Sequence, residues 1–74
     1  MIEGNSLEKR IRKLCLMNSM STADLEERAG ISAGTLRDIL RGKSADPRLS
    51  SVKKIAEGFN MSLSDFFDDR VFED

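Results

Sequence analysis

The stretch Thr22 to Arg41, TADLEERAGISAGTLRDILR, decides the fold. It reads as two short helices joined at Gly30. Leu25, Ala29, Ile31, Leu36 and Ile39 fall where such a pair must bury its apolar side. Ser21-Thr22-Ala23-Asp24 opens the first of the two with a variant of the capping box, Asp standing in for Glu. Gly30 can take the left-handed conformation that ends a helix without steric cost. Ser32 caps the next helix, which runs to about Leu40. A fixed turn glycine with apolar positions on both sides is the pattern of a helix-turn-helix.

Outward from this pair, the same periodicity predicts three more helices. Leu7, Ile11, Leu14 and Cys15 form an apolar stripe at helical spacing, on a helix capped by Asn5 or Ser6. Lys9, Arg10, Arg12 and Lys13 are expected on its solvated surface, and Asn18 and Ser19 end it. Gly42 to Pro47 is a loop by composition. A fourth helix is expected over Leu49 to Phe59, with Leu49, Val52, Ile55, Ala56 and Phe59 inward. Ser62 and Asp65 form a second capping-box variant that opens a short fifth helix through Phe66 and Phe67. No stretch alternates apolar and polar residues long enough for a strand. The expectation is an all-α, compact five-helix domain spanning residues 1–74, with the helix-turn-helix at 22–41 and an acidic tail at 68–74.

Composition narrows the function classes. The 74 residues are 39% hydrophobic and 34% charged, a balance that suits one small helical domain. No apolar run approaches a membrane span, and the N-terminus lacks the apolar middle of a signal peptide. With no histidine and one cysteine, neither a zinc site nor an internal disulfide is expected, and a reducing cytoplasmic compartment is. The acidic cluster from Asp65 to Asp74 lacks the glycine and ligand spacing of a calcium loop. No cofactor is expected. Catalysis by general acid and base favours histidine, and no serine–base or paired-carboxylate arrangement is visible, so an enzyme is not expected.

The net charge of -1 argues at first against a nucleic-acid partner. The charge is uneven, however: residues 1–43 hold 8 basic and 6 acidic residues, and residues 44–74 hold 4 and 7. A local basic face matters more for phosphate contact than the total, although a weak overall field implies modest non-specific affinity.

With these positions in place, the chain resembles the Cro/cI-type (lambda-repressor-like) helix-turn-helix domains of phage repressors and small bacterial regulators. The resemblance covers about residues 6 to 67 and is strongest in LEERAGIS and GKSADPRLSSVKKIAEGFNMSLSDFF. It implies a regulator of transcription that binds double-stranded DNA, usually as a homodimer on a two-fold symmetric operator, with the third helix in the major groove. It also implies that Thr22 stands where many relatives place a phosphate-binding glutamine. Glu26 stands where alanine is usual, facing the third helix, with Arg37 as a candidate partner. Arg48 takes a position from which some phage repressors send an arginine into the minor groove, where a narrow A-tract would attract it.

The resemblance places base reading at the first turns of the third helix: Ser32, Ala33, Gly34 and Thr35, then Arg37 and Asp38. Hydroxyls contact several bases or phosphates, and Ala or a Thr methyl can touch a thymine methyl. Gly34 either permits close backbone approach or is merely tolerated on an exposed helix. Arg37 is a candidate for a bidentate guanine contact or for a salt bridge to Glu26. Asp38 could accept from cytosine, orient Arg41, or stay solvated. Arg41, Lys43 and Ser44 would fix register through phosphates, with Arg48 the exception, drawn to the minor groove. Asp24 and Glu27 on the second helix are candidates for an RNA polymerase contact, as in some relatives, or ordinary surface charge. Cys15 reads as a small buried hydrophobe. Leu63, Phe66, Phe67, Val71 and Phe72 are expected at a dimer contact, although Phe66 or Phe67 could instead close the core, and the segment could join a further domain as in self-cleaving repressors. An antitoxin-type protein-binding module is the serious alternative, weakened by the seven residues that follow the fifth helix.

Overall fold

A computed structural model describes residues 4–41 and 49–72. The described residues form α1 (Gly4–Met17), α2 (Thr22–Ala29), α3 (Ala33–Leu40), α4 (Leu49–Gly58) and α5 (Leu63–Phe67), followed by a 3-10 turn (Arg70–Phe72). The all-α, five-helix fold is the one expected. α1 begins at Gly4, so Asn5 and Ser6 are inside the helix. An N-cap needs an extended backbone, and the cap of α1 therefore falls outside the described residues.

Three of the connections follow one recipe. Ser19, Gly30 and Asn60 each have a positive φ, 53°, 68° and 59°. The next residue is apolar: Met20, Ile31 and Met61 each pack partly buried against the core. The N–H groups of these three reach back to the carbonyls of Cys15, Glu26 and Ala56 at 2.8, 3.2 and 3.0 Å, closing the preceding helix. A serine then caps the next helix: Ser21, Ser32 and Ser62 have extended backbones, and their hydroxyls accept from the N–H of Asp24, Thr35 and Asp65. The fourth helical residue in each case, Leu25, Leu36 and Phe66, is fully buried. This is the register of a hydrophobic staple. At α2 the capping box is complete, with the Ser21 N–H donating to the Asp24 carboxylate at 3.0 Å. At α5 only the Ser62 half of the expected box forms; Asp65 is exposed, and its carboxylate is left to water.

The core joins Leu7, Ile11, Leu14 and Cys15 of α1 to Leu25 and Ala29 of α2. Leu36, Ile39 and Leu40 of α3, Val52, Ile55 and Ala56 of α4, and Phe59 and Phe66 complete it. α2 packs on α4 and α1 on α3. Leu49 departs from expectation: it lies on the face of Val52 and Ala56 but is 64% exposed. α4 meets α2 at its other end, through Gly58, and nine residues of helix put Leu49 about 14 Å from that contact.

Arg10 is the second departure. Expected in a solvated basic cluster, it is 6% exposed. Its spacing from Leu7 and Leu14 places it on the apolar stripe, three and four residues away. Its Nε donates to the Phe66 carbonyl at 2.7 Å, Nη2 to the Asp65 carbonyl at 2.9 Å and Nη1 to Asp69 Oδ2 at 3.0 Å. The last carbonyls of a helix lack intrahelical partners and carry partial negative charge. Arg10 supplies both donors and charge to the end of α5, with its guanidinium 5.8 Å from the centre of the Phe66 ring.

Candidate nucleic-acid interface

Leu36, Ile39 and Leu40 anchor α3 in the core, so the opposite side of the helix is left outward. Ser32, Ala33, Gly34, Arg37, Asp38 and Arg41 are exposed and Thr35 is half-buried. The Ser32 hydroxyl accepts from the Thr35 N–H at 3.1 Å and lies 2.8 Å from Thr35 Oγ1. One of these two hydroxyls donates to the other, which leaves one hydroxyl proton free for an outside acceptor. A Cβ at Gly34 would have nothing within 4 Å, so the backbone there is open to close approach.

Arg37 and Arg41 border a cleft between α3 and its neighbours, which Arg12, Thr22, Glu26, Ala33, Leu36 and Leu40 also line. Three guanidinium groups and one carboxylate give the cleft a net charge of +2. The Arg37–Glu26 ion pair, the alternative to a base contact, does not form: Glu26 is half-buried on the same cleft, and among the described residues Arg37 and Arg41 make no ion pair. Nor does Asp38 engage Arg41. Thr22 opens α2 and is exposed at the cleft's edge. Lys43, Ser44 and Arg48 lie outside the described residues.

The basic cluster on α1 gave Arg12 no role beyond a solvated face. Arg12 lines the cleft beside Thr22 and Arg37 instead, with its Nε donating to Glu8 Oε2 at 2.9 Å. The signal available was its place beside Cys15 and Glu8 on α1, toward the side on which α2 begins.

Of the two candidate acids for a polymerase contact, Asp24 is committed to the capping box. The Ser21 backbone N–H, then the Ser21 hydroxyl, hold its carboxyl below the ordinary aspartate range. Glu27 is exposed. Burial pushes the Cys15 thiol up, as suits a packed side chain.

The residues expected at a dimer contact divide. Phe66 has no exposed surface to offer and closes the core. Leu63, Phe67, Val71 and Phe72 are half-buried. The rings of Phe67 and Phe72 lie 5.0 Å apart, and Phe67 meets Phe66 edge-on at 5.3 Å. Much of this apolar surface is therefore spent within the molecule.

Among the described residues, no three His, Cys, Asp or Glu side chains are grouped to hold a metal ion, and no helix is long and apolar enough to cross a membrane.

The left-handed turn at Gly30, the serine caps on both sides of it and the outward polar side of α3 define a helix-turn-helix DNA-binding domain. The sequence model of the Cro/C1-type HTH DNA-binding domain matches residues 10–70, and the chain belongs to that family. Comparison with curated proteins and with solved structures gave no match.

Proposed function

We propose that this protein is a sequence-specific repressor that binds a two-fold symmetric operator as a homodimer, with α3 in the major groove. The observation that carries the reading is the outward side of α3, where the Ser32–Thr35 hydroxyl pair, the bare backbone at Gly34 and Arg37, which has no ion pair among the described residues, stand together. Hydroxyls and a forked guanidinium match the donor and acceptor edges that the major groove displays. Thr22 at the start of α2, with Arg41, Lys43 and Ser44, would hold phosphates, and Arg48 would enter the minor groove. Two copies side by side, meeting through what remains exposed of Leu63, Phe67, Val71 and Phe72, would each reach one half-site. Glu27 stays available for a contact with RNA polymerase.

The test is selection of binding sites from a random duplex pool at near-physiological salt. Enrichment of a symmetric site with half-sites one turn apart is expected. Arg37→Ala should then lose about 1–3 kcal/mol of discrimination at one base pair. Lys43→Ala should weaken every duplex alike and lower the salt slope by about one. An unenriched pool would remove sequence-specific repression. Enrichment of a single unrepeated half-site would remove the dimer.

A further inference from the structure

We propose that Arg12, on α1, is a DNA-backbone ligand that seats one phosphate at the mouth of the cleft between α2 and α3. The proposal rests on the DNA-binding reading above and adds a third helix to the contact surface. The Arg12 side chain is 57% exposed, and its only partner among the described residues is Glu8, 31% exposed, whose Oε2 accepts from Nε at 2.9 Å. Among the described residues nothing else meets the two Nη groups, whose four N–H donors form the outer edge of the guanidinium. That edge fits two phosphate oxygens at once. Glu8, one helical turn earlier on α1, fixes the stem so that less rotamer freedom is lost on binding.

The surroundings select an anion. Arg12 shares the cleft with Arg37 and Arg41, and Glu26 is the one carboxylate among the lining residues. Thr22 lies at the first turn of α2, where backbone N–H groups lack helical partners. The Asp24 carboxylate in the same turn is folded back onto the Ser21 N–H. Arg12 also stands on the same cleft as Ala33, Arg37 and Arg41, whose outer sides face the proposed duplex. A duplex laid along α3 therefore brings a backbone within reach of α1. Arg10, two residues earlier and about 200° away around the helix, points to α5 and the C-terminal turn instead.

The experiment is a fluorescence-anisotropy titration of the whole chain against a labelled selected site and a scrambled duplex, repeated across a salt series. Arg12→Ala is expected to weaken both duplexes by the same factor and to reduce the salt slope by about 0.9. Arg12→Lys should keep the slope while losing part of the affinity, because a point charge cannot fork. Arg28→Ala, an exposed arginine at the opposite end of α2 from Thr22, should leave both slope and affinity as in the parent. A parent-like slope for Arg12→Ala, or an equal loss for Arg28→Ala, would overturn the assignment while DNA binding stands. A loss confined to the selected site would make Arg12 a reader rather than a backbone ligand and equally overturn it. Failure of the parent chain to bind either duplex would overturn the DNA-binding reading itself, and Arg12 with it.

Discussion

Ser19 carries a φ of 53°, a region that costs a residue with a Cβ on the order of 1 kcal/mol or more and costs glycine little. The two other left-handed corners are held by Gly30 and Asn60, the residue types that best accept this geometry. Ser19 is thus the strained member of the set, and Ser19→Gly should raise stability by about 0.5–1 kcal/mol, read as a higher urea midpoint at unchanged slope. No change would mean that the glycine's extra freedom in the unfolded chain offsets the relief. At this scale the sequence was legible where residue type and conformation agree, as at Gly30. It was misleading where a residue's chemistry spoke louder than its position. Arg10 and Arg12 have the same side chain two residues apart. One lies on the Leu7–Leu14 stripe and is buried; the other lines an open cleft. Composition groups them, and only the helical period separates them.

At the scale of elements, the corners explain why the helices could be read so fully. Each connection ends in the same three-residue pattern, Ser19-Met20-Ser21, Gly30-Ile31-Ser32 and Asn60-Met61-Ser62, which encodes a stop, an apolar plug and a start. Local rules suffice for such boundaries, because caps and left-handed ends depend on residues a few positions apart. How one helix lies on another is set by contacts distant in sequence. Gly58, half a chain from α2, is the example. A Cβ there would stand 3.2 Å from the Ala29 Cβ, the Ala29 nitrogen and Leu25 Cδ1. The backbone nitrogen cannot swing aside, so the close approach of α2 and α4 depends on the missing side chain. Gly58→Val should destabilise the fold by about 1–3 kcal/mol through overpacking. Gly58→Ala should fall between, since helix propensity gains up to about 1 kcal/mol against a tight contact. Urea denaturation of the three proteins gives the order. A valine variant as stable as the parent would mean that α2 can shift without loss, and the helix-turn-helix would not be fixed by this contact.

For the whole molecule, the first helix and the last segment are tied by one charge network. Asp69 Oδ2 accepts from Arg10 Nη1 at 3.0 Å and from Lys13 Nζ at 2.9 Å, while Oδ1 accepts from the Val71 N–H at 2.9 Å. α5 has five residues, too few to be stable as an isolated helix. Its place depends on Phe66 in the core and on this network around it. No local pattern announces the tie between the two ends, since Arg10 and Lys13 lie 59 and 56 residues from Asp69. The Val71 N–H, then Lys13 with Arg10, hold the Asp69 carboxyl below the ordinary aspartate range. A group depressed in the folded state adds stability that is complete above its unfolded pKa, about 3.9. That stability is lost as pH falls through the lower, folded value. Asp69→Asn should therefore be less stable than the parent at pH 7. The gap should hold down to about pH 4 and narrow below it as the parent's carboxyl protonates. Asp24 is depressed as well, but it is common to both proteins and cancels in the difference. Paired thermal melts from pH 7 to pH 2.5 measure the gap. A difference that stays constant across that range would show that Asp69 acts through its shape and hydrogen bonds alone, with its charge contributing nothing to the hold of α1 on the C-terminal segment.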